Sequence, residues 1–291
     1  MIRLAVTGRT GQLACALVER ATKTPAIAVT AVGRPDLDLE RPATVAAAIR
    51  AARPDVVVNA AAFTAVDRAE AEPDRAFAVN RDGAAAVARA AAALNIPLIQ
   101  LSTDYVFAGT GQGACVETDA TGPLNVYGAS KLAGEIAVRQ AHEGALILRT
   151  SWLYSPFGGN FVKTMLRLGR ERRALEVVDD QFGNPTSALD LADAILRLAP
   201  RLAAGSPPGA TFHLAGAGVT TWCGFARYIF EMSHALGGPR ALVVGIASAD
   251  YPAAARRPAN SSLDCRAFAE AFGFSLRPWR EGVERVVSRL L

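Results

Sequence analysis

The chain has 291 residues, of which 51% are hydrophobic and 20% charged, with a formal net charge of +4. That composition lies far from the low-apolar, high-charge range of disordered chains, and the length supports one large domain or two interlocked ones with ample core. The apolar run in Met1 to Gly8 is too short for a signal peptide, and no run of about 18 apolar residues could span a membrane, so a cytoplasmic protein without a membrane partner is expected.

The basic residues are scattered, which argues against nucleic acid and fits an anionic small-molecule ligand. Cys15, Cys115, Cys223 and Cys265 lie far apart, show no metal-ligand spacing and read as reduced core thiols; no metal site is expected. Among the 31 basic residues, only Lys23, Lys131 and Lys163 are lysine.

In chain order, short aliphatic runs at 2–6, 27–32, 55–59, 97–102 and 145–149 read as strands. Ala-rich segments at 11–21, 42–52, 73–93 and 126–141 between them read as helices. This alternation predicts a parallel sheet with helices on both faces, whose strands are apolar throughout. Beyond residue 150 the spacing predicts a helix over 161–172, a strand over 174–178 and a helix over 188–199. A turn or loop at Gly205-Ser206-Pro207-Pro208-Gly209 is followed by a strand over 211–215, a helix over 221–236 and a strand over 241–246. A Pro- and Arg-bearing loop at 252–262 then leads to two short helices, 266–272 and 279–290.

Thr7-Gly8-Arg9-Thr10-Gly11-Gln12-Leu13-Ala14 joins the first strand to the first helix. Gly8 can supply a positive φ, and Gly11 lets backbone approach a pyrophosphate facing the helix N-terminus. An ordinary strand–turn–helix also favours glycine. The second strand ends at Val32-Gly33-Arg34 with no carboxylate at its tip. Arg34, helped by Arg9, can meet a ribose 2′-phosphate and favours NADPH, with NADH as the alternative; Arg34 can equally be a solvated surface charge. Asp38 is placed near the adenine.

Tyr127-Gly128-Ala129-Ser130-Lys131 opens a helix, and residues four apart share a face. A phenol beside an ammonium and an oxidised nicotinamide is expected to have a lowered pKa and to exchange a proton with a carbonyl or alcohol oxygen. Thr103 ends a strand at the side where open α/β sheets bind ligands, where it can orient a substrate carbonyl or simply cap a turn with Asp104. The small residues after Asn59 leave room for a dinucleotide, and Asn80 is a candidate brace for the site.

Together, the Thr7–Leu13 turn, Thr103 and the Tyr127/Lys131 pair resemble the extended short-chain dehydrogenase/reductase superfamily. Within it the chain is similar to the dTDP-4-dehydrorhamnose reductase family. The similarity rests on Pro54–Asp67, Ser102–Phe107, Pro123–Gly128, Arg149–Tyr154, Asp180–Thr186 and Arg257–Asp264, and spans essentially the whole chain.

The resemblance implies an α/β, Rossmann-like doubly wound parallel sheet with a smaller, mostly C-terminal substrate-binding domain. Residues 1–150 would bind the dinucleotide, with returning segments from 179–215; 151–178 and 216–291 would bind the nucleotide sugar. The implied reaction is reduction of the C4 ketone of dTDP-4-dehydro-6-deoxy-L-mannose. Gly11, Gln12, Leu13, Asp38, Leu39, Ala62, Phe63 and Thr64 would touch the cofactor, with Tyr127 and Lys131 on the nicotinamide ribose. Thr103 and Asp104 would hold the sugar and Trp152 would pack on it, although Trp152 also reads as a plain core residue.

Arg257, then Arg256, is the choice for the diphosphate, with Asn160 and Lys163 nearby. Two departures stand out. Ala14 replaces a usual glycine, and Leu189 replaces the glutamate of members that form an Mg²⁺-bridged dimer, which leaves a homodimer of that kind in doubt. The competing readings are an NADP-binding regulatory subunit without turnover and a nucleotide-sugar epimerase that retains NAD⁺.

Overall fold

A computed structural model describes residues 1–205 and 209–291, so Ser206 to Pro208 of the expected 205–209 loop lie outside the described residues. The first half runs β1 (Ile2–Thr7), α1 (Gln12–Ala21), β2 (Ile27–Val32), α2 (Ala43–Ala52), β3 (Val56–Asn59), α3 (Val66–Ala71), α4 (Pro73–Phe77), α5 (Ala84–Ala93), β4 (Leu98–Thr103), α6 (Val126–Ala141) and β5 (Leu146–Thr150). The second half runs β6 (Leu153–Tyr154), α7 (Phe161–Glu171), β7 (Ala174–Val178), β8 (Phe182–Gly183), β9 (Thr186–Ser187), α8 (Ala188–Ala203), β10 (Thr211–His213), β11 (Thr220–Thr221), α9 (Trp222–Ala235), β12 (Leu242–Ile246), α10 (Arg266–Phe272) and α11 (Trp279–Leu290).

The main sheet has the order β10-β5-β4-β3-β1-β2, and every pairing in it is parallel. Chain order reverses beside β1, with β2 on one flank and β3 on the other; such a switch point opens a crevice at the strands' C-terminal ends. Side chains alternate between faces. Thus Val56 packs with Leu13, Leu17 and Ile195 on one face, while Val57 packs with Val45, Ile49 and Val87 on the other. Each of these fully buried aliphatics contributes roughly 1.5–3 kcal/mol relative to exposure. Not every strand is apolar throughout: β2 is an edge strand, and its Thr30 is exposed.

After β5 the chain builds beside the sheet's C-terminal edge. β7 and β12 pair in parallel, and α7 and α9 pack together beside them. The 252–262 loop returns to this region, where Ser261 N donates to the Phe182 carbonyl at 2.8 Å and Cys115 N to that of Ser262 at 2.8 Å. α8 and β10 instead go back to the sheet: α8 lies against α1, and β10 extends the sheet beyond β5.

Two expectations are corrected. The segment 73–93 is helical throughout but not uniformly α: α4 and α5 are joined by a wide π-helical stretch, Ala78–Gly83. Gly83 presses there on Leu39, where a Cβ would come within 2.6 Å of the leucine Cβ. All four cysteines are free thiols, but only Cys223 is buried; Cys15, Cys115 and Cys265 are half-buried.

Candidate active site

Gly8 has φ +92°, the left-handed conformation that its turn requires, and an added Cβ would sit 3.5 Å from that of Ala61. Gly11 is the N-cap of α1, without a side-chain cap or an acidic residue in the first turn, and a Cβ on it would meet nothing within 4 Å. The first-turn N–H groups therefore present the positive end of the helix to open space, a cradle that fits a pyrophosphate.

Gln12 turns elsewhere. Its Oε1 accepts from Ser155 Oγ at 2.8 Å and Asn160 Nδ2 at 3.1 Å. Leu13 is buried in the core, so only its backbone could serve a ligand. Arg34 is exposed and has no carboxylate partner among the described residues, while Arg9 is paired with Asp36 at 2.5 Å. The Asp38 carboxylate accepts from Glu40 N at 3.1 Å in a local turn, and Leu39 is buried beneath Gly83.

Ala62, Phe63 and Thr64 follow β3. The Phe63 ring carries the Arg68 and Arg75 guanidiniums at 5.6 and 5.8 Å. Asn80, on the wide turn, accepts from Phe63 N at 2.8 Å and donates to Phe63 O at 3.0 Å and Ser130 Oγ at 2.9 Å. It thereby ties this loop to α6.

α6 starts at Asn125, whose Oδ1 accepts from Gly128 N at 2.8 Å. Gly128 has no Cβ to strike the Tyr105 carbonyl, so the helix start lies against the turn after β4. This brings Tyr127, Lys131 and Thr103 together. Lys131 is buried, and its Nζ donates to Leu101 O at 2.7 Å. Burial lowers its pKa to about 8, with Glu135 opposing.

Tyr127 is half-buried, and the Tyr105 ring meets it edge-on at 5.9 Å. Desolvation pushes Tyr127 up to about 12, with the nearby Thr103 hydroxyl opposing and Asp104 adding to the rise. The chain by itself keeps this phenol protonated.

Thr103 Oγ1 accepts from Tyr105 N at 3.2 Å and donates to Asp104 Oδ1 at 2.9 Å, so it caps the turn as well as facing Tyr127. Asp104 is only 2% exposed, and burial pushes its carboxyl up to about 7.

A cleft of about 1780 Å³ is bordered by Leu124, Phe161, Gln181, Phe182, Trp222 and Arg257; Thr103, Asp104, Tyr127 and Lys131 are not in its lining, which comes nearest to Tyr127 along the chain at Leu124. Trp152 does not line it. That residue has φ +46° and stacks on Trp222, with centroids 3.6 Å apart and planes at 6°. Gly183 leaves room for the Trp152 indole. Trp222 is the site residue that sequence reasoning missed; only its helix-opening position after Thr221 could have drawn attention to it.

Asn160 caps α7, accepting from Lys163 N at 3.2 Å, and its amide donates to Ser155 O at 2.8 Å. The Lys163 ammonium donates to Pro156 O at 3.3 Å. Arg257 holds Asp67 through two bonds of 3.0 and 2.6 Å, and Arg256 is exposed. Leu189 is buried in the core.

The family profile described as RmlD substrate binding domain matches residues 2–291. A dTDP-4-dehydrorhamnose reductase of Sinorhizobium fredii is 49% identical over 292 residues, covering 100% of this chain and 98% of its own. The chain belongs to the dTDP-4-dehydrorhamnose reductase family. The Escherichia coli K12 reductase of that name is 46% identical over 256 residues, 87% of this chain and 85% of its own.

Among solved structures, the family member from Bacillus anthracis in complex with NADP superposes with a TM-score of 0.90 at 35% identity, over 99% of both chains. The one from Clostridium acetobutylicum gives 0.91 at 33%, over 99% of both. A Brucella ovis UDP-glucose 4-epimerase with NAD gives 0.81 at 17% over 100% of this chain and 98% of its own, a likeness of fold alone.

Proposed function

We propose that the chain reduces the C4 ketone of dTDP-4-dehydro-6-deoxy-L-mannose to give dTDP-L-rhamnose, with NADPH as the reductant. The observation that carries this reading is the placement of Tyr127 at the start of α6, against the turn after β4 that holds Thr103 and one helical turn before a buried Lys131, in a chain 49% identical to a reductase of that name. A reductase needs its acid loaded before the carbonyl arrives, and a tyrosine phenol, at or above its ordinary value, is protonated at neutral pH.

NADPH supplies, when bound, the hydride for the C4 carbon. Gly8 and Gly11 open the turn for its pyrophosphate, Gln12 and Leu13 offer backbone N–H groups, and the free Arg34 suits a 2′-phosphate over NADH's hydroxyl. Ala62 and Thr64 line the same edge, with the Phe63 backbone fixed by Asn80. The Asp38 turn and Leu39 shape the adenine end. Lys131 anchors on Leu101 O and holds the ribose side, while Thr103 aims the phenol. Tyr127 gives its proton to the C4 oxygen.

The cleft takes the nucleotide sugar, with Arg257 at its rim for the diphosphate. Trp152 acts through the Trp222 face that it supports, and Asn160 shapes the wall by holding the 155–163 turn to Gln12. In this reading 1–150, with returning segments from 179–215, form the dinucleotide part, and 151–178 with 216–291 form most of the substrate part. Leu189 offers no ligand for a metal bridge, so a homodimer would need another contact.

The test is a coupled incubation of the chain with dTDP-glucose, the upstream dehydratase and epimerase, and NADPH or NADH side by side. The reading predicts oxidation of the cofactor, faster with NADPH, and dTDP-L-rhamnose as product. No oxidation would favour the regulatory-subunit reading. Tightly retained NAD⁺ with no net oxidation would favour the epimerase.

A further inference from the structure

We propose that Gln181 reads the sugar ring of the nucleotide sugar, its side-chain amide hydrogen-bonding a ring hydroxyl beside the Trp152/Trp222 stack. This rests on the reading of the cleft as the nucleotide-sugar site.

Gln181 is only 9% exposed and borders the cleft. Among the described residues its amide has no hydrogen-bond partner, yet neither amide atom is sealed off as the unpartnered polar atoms of the core are. The little surface that Gln181 keeps therefore includes its polar end. A mostly buried amide with its donors and acceptor unused is costly unless a ligand or water meets it.

The residues around it have no such freedom. The Asp180 carboxylate accepts from Ser248 N at 2.9 Å and from Ser248 Oγ at 3.0 Å. Phe182 N donates to Ala259 O at 2.8 Å, and Ser261 N donates to Phe182 O at 2.8 Å. Both neighbours of Gln181 are thus tied to the 248–262 segment, which fixes the point from which its side chain starts.

Strand pairing places the amide. β8 runs antiparallel to β11, with Gly183 opposite Thr220 and Phe182 opposite Thr221. One step further along this register sets Gln181 opposite Trp222, and opposite residues share a face of the ladder. Gly183, two residues on and on the same face, lies against the other indole: a Cβ there would stand 2.4 Å from Trp152 Cε2. Burial alternates accordingly, with Gln181 and Gly183 buried and Phe182 exposed. Trp152 in turn comes two residues after Thr150, the β5 partner of Thr103 in β4. Gln181 therefore belongs to the end of the cleft next to the sheet's C-terminal edge, while the other end follows α7 to Arg172.

Chemistry selects the sugar over the rest of the ligand. Phe161 and Trp222, with ring centroids 4.8 Å apart, offer this end apolar faces, which suit the C–H groups and methyl of a deoxy sugar and leave its hydroxyls unpaired. The amide donates and accepts, as a hydroxyl does, and has no charge to offer a diphosphate. A C2 or C3 hydroxyl taken from water into this end needs such a partner.

The test is calorimetric titration of the full chain, saturated with NADP⁺, with dTDP-L-rhamnose and separately with dTDP. Gln181→Leu should weaken binding of dTDP-L-rhamnose on the order of 10-fold and leave that of dTDP unchanged. Equal weakening of both would move the amide to the nucleotide and overturn the proposal. Unchanged affinity for both would make the amide merely solvated and overturn it too, with the reductase reading intact. If the leucine variant fails to fold, Gln181→Met, which keeps the length of the side chain, is titrated in its place and read by the same outcomes. An unmodified chain that binds neither compound would overturn both readings.

Discussion

At Tyr127 and Lys131 burial acts on two acids in opposite senses. It raises the phenol to about 12 and lowers the ammonium to about 8, so at neutral pH the first is a neutral acid and the second still largely a cation. Sequence reasoning found both residues from their spacing, but spacing reports a shared helix face and says nothing of the desolvation that raises the phenol in the chain by itself.

Asp104 carries a consequence for stability. Its carboxyl keeps a proton up to about pH 7 in the folded chain, against 3.8 ordinarily. Between those values the native state binds more protons than the unfolded one, so this residue's contribution to stability falls as pH rises. The roughly three-unit shift corresponds to about 4 kcal/mol at most. Asp104→Asn should therefore gain stability relative to the unmodified chain between about pH 5 and about pH 8, measured by urea denaturation at both. An unchanged difference would contradict the burial argument.

The decisive element for the site is the wide turn between α4 and α5. Its register aims Asn80 at two places at once, the Phe63 backbone and Ser130 of α6. The sequence marked Asn80 as a polar residue in an Ala-rich stretch, but not the turn itself, since Ala-rich periodicity is the same on both sides of it. Close approach supports the same joint: a Cβ at Gly134 of α6 would collide with the Asn80 carbonyl oxygen. Asn80→Ala leaves buried backbone groups unpaired and should cost about 1–3 kcal/mol. It should also weaken NADPH binding, because the loop holding Ala62, Phe63 and Thr64 loses its brace. Thermal unfolding and a cofactor fluorescence titration would check the pair of effects; lost stability with unchanged binding would leave Asn80 a purely structural residue.

For the molecule as a whole, the sheet was legible and the cleft was not. β3 and the Leu4–Val6 stretch of β1 are aliphatic runs buried on both faces, and the helices between them are long enough to show their period. The walls of the cleft are built otherwise. They include Phe182 of the two-residue β8 and Trp222, stacked on a tryptophan with positive φ behind it, none of which leaves a periodic trace.

Arg257 was legible as a cation in a Pro-stiffened loop, but its bond to Asp67, which joins that loop to α3, was not. Arg257→Ala should raise KM for the nucleotide sugar roughly 10- to 100-fold, the worth of a hydrogen-bonded charge at about 1.5–3 kcal/mol, with kcat nearly unchanged. Steady-state kinetics with purified substrate would show this; an unchanged KM would remove Arg257 from the diphosphate site.

Reduction by this chain turns on the Tyr127 proton, and the most direct measurement is single-turnover reduction of the nucleotide keto-sugar by Tyr127→Phe with NADPH. The predicted result is a rate lowered on the order of 10²- to 10⁴-fold, while cofactor and sugar nucleotide still bind. A variant that reduces the ketone at close to the unmodified rate would contradict it.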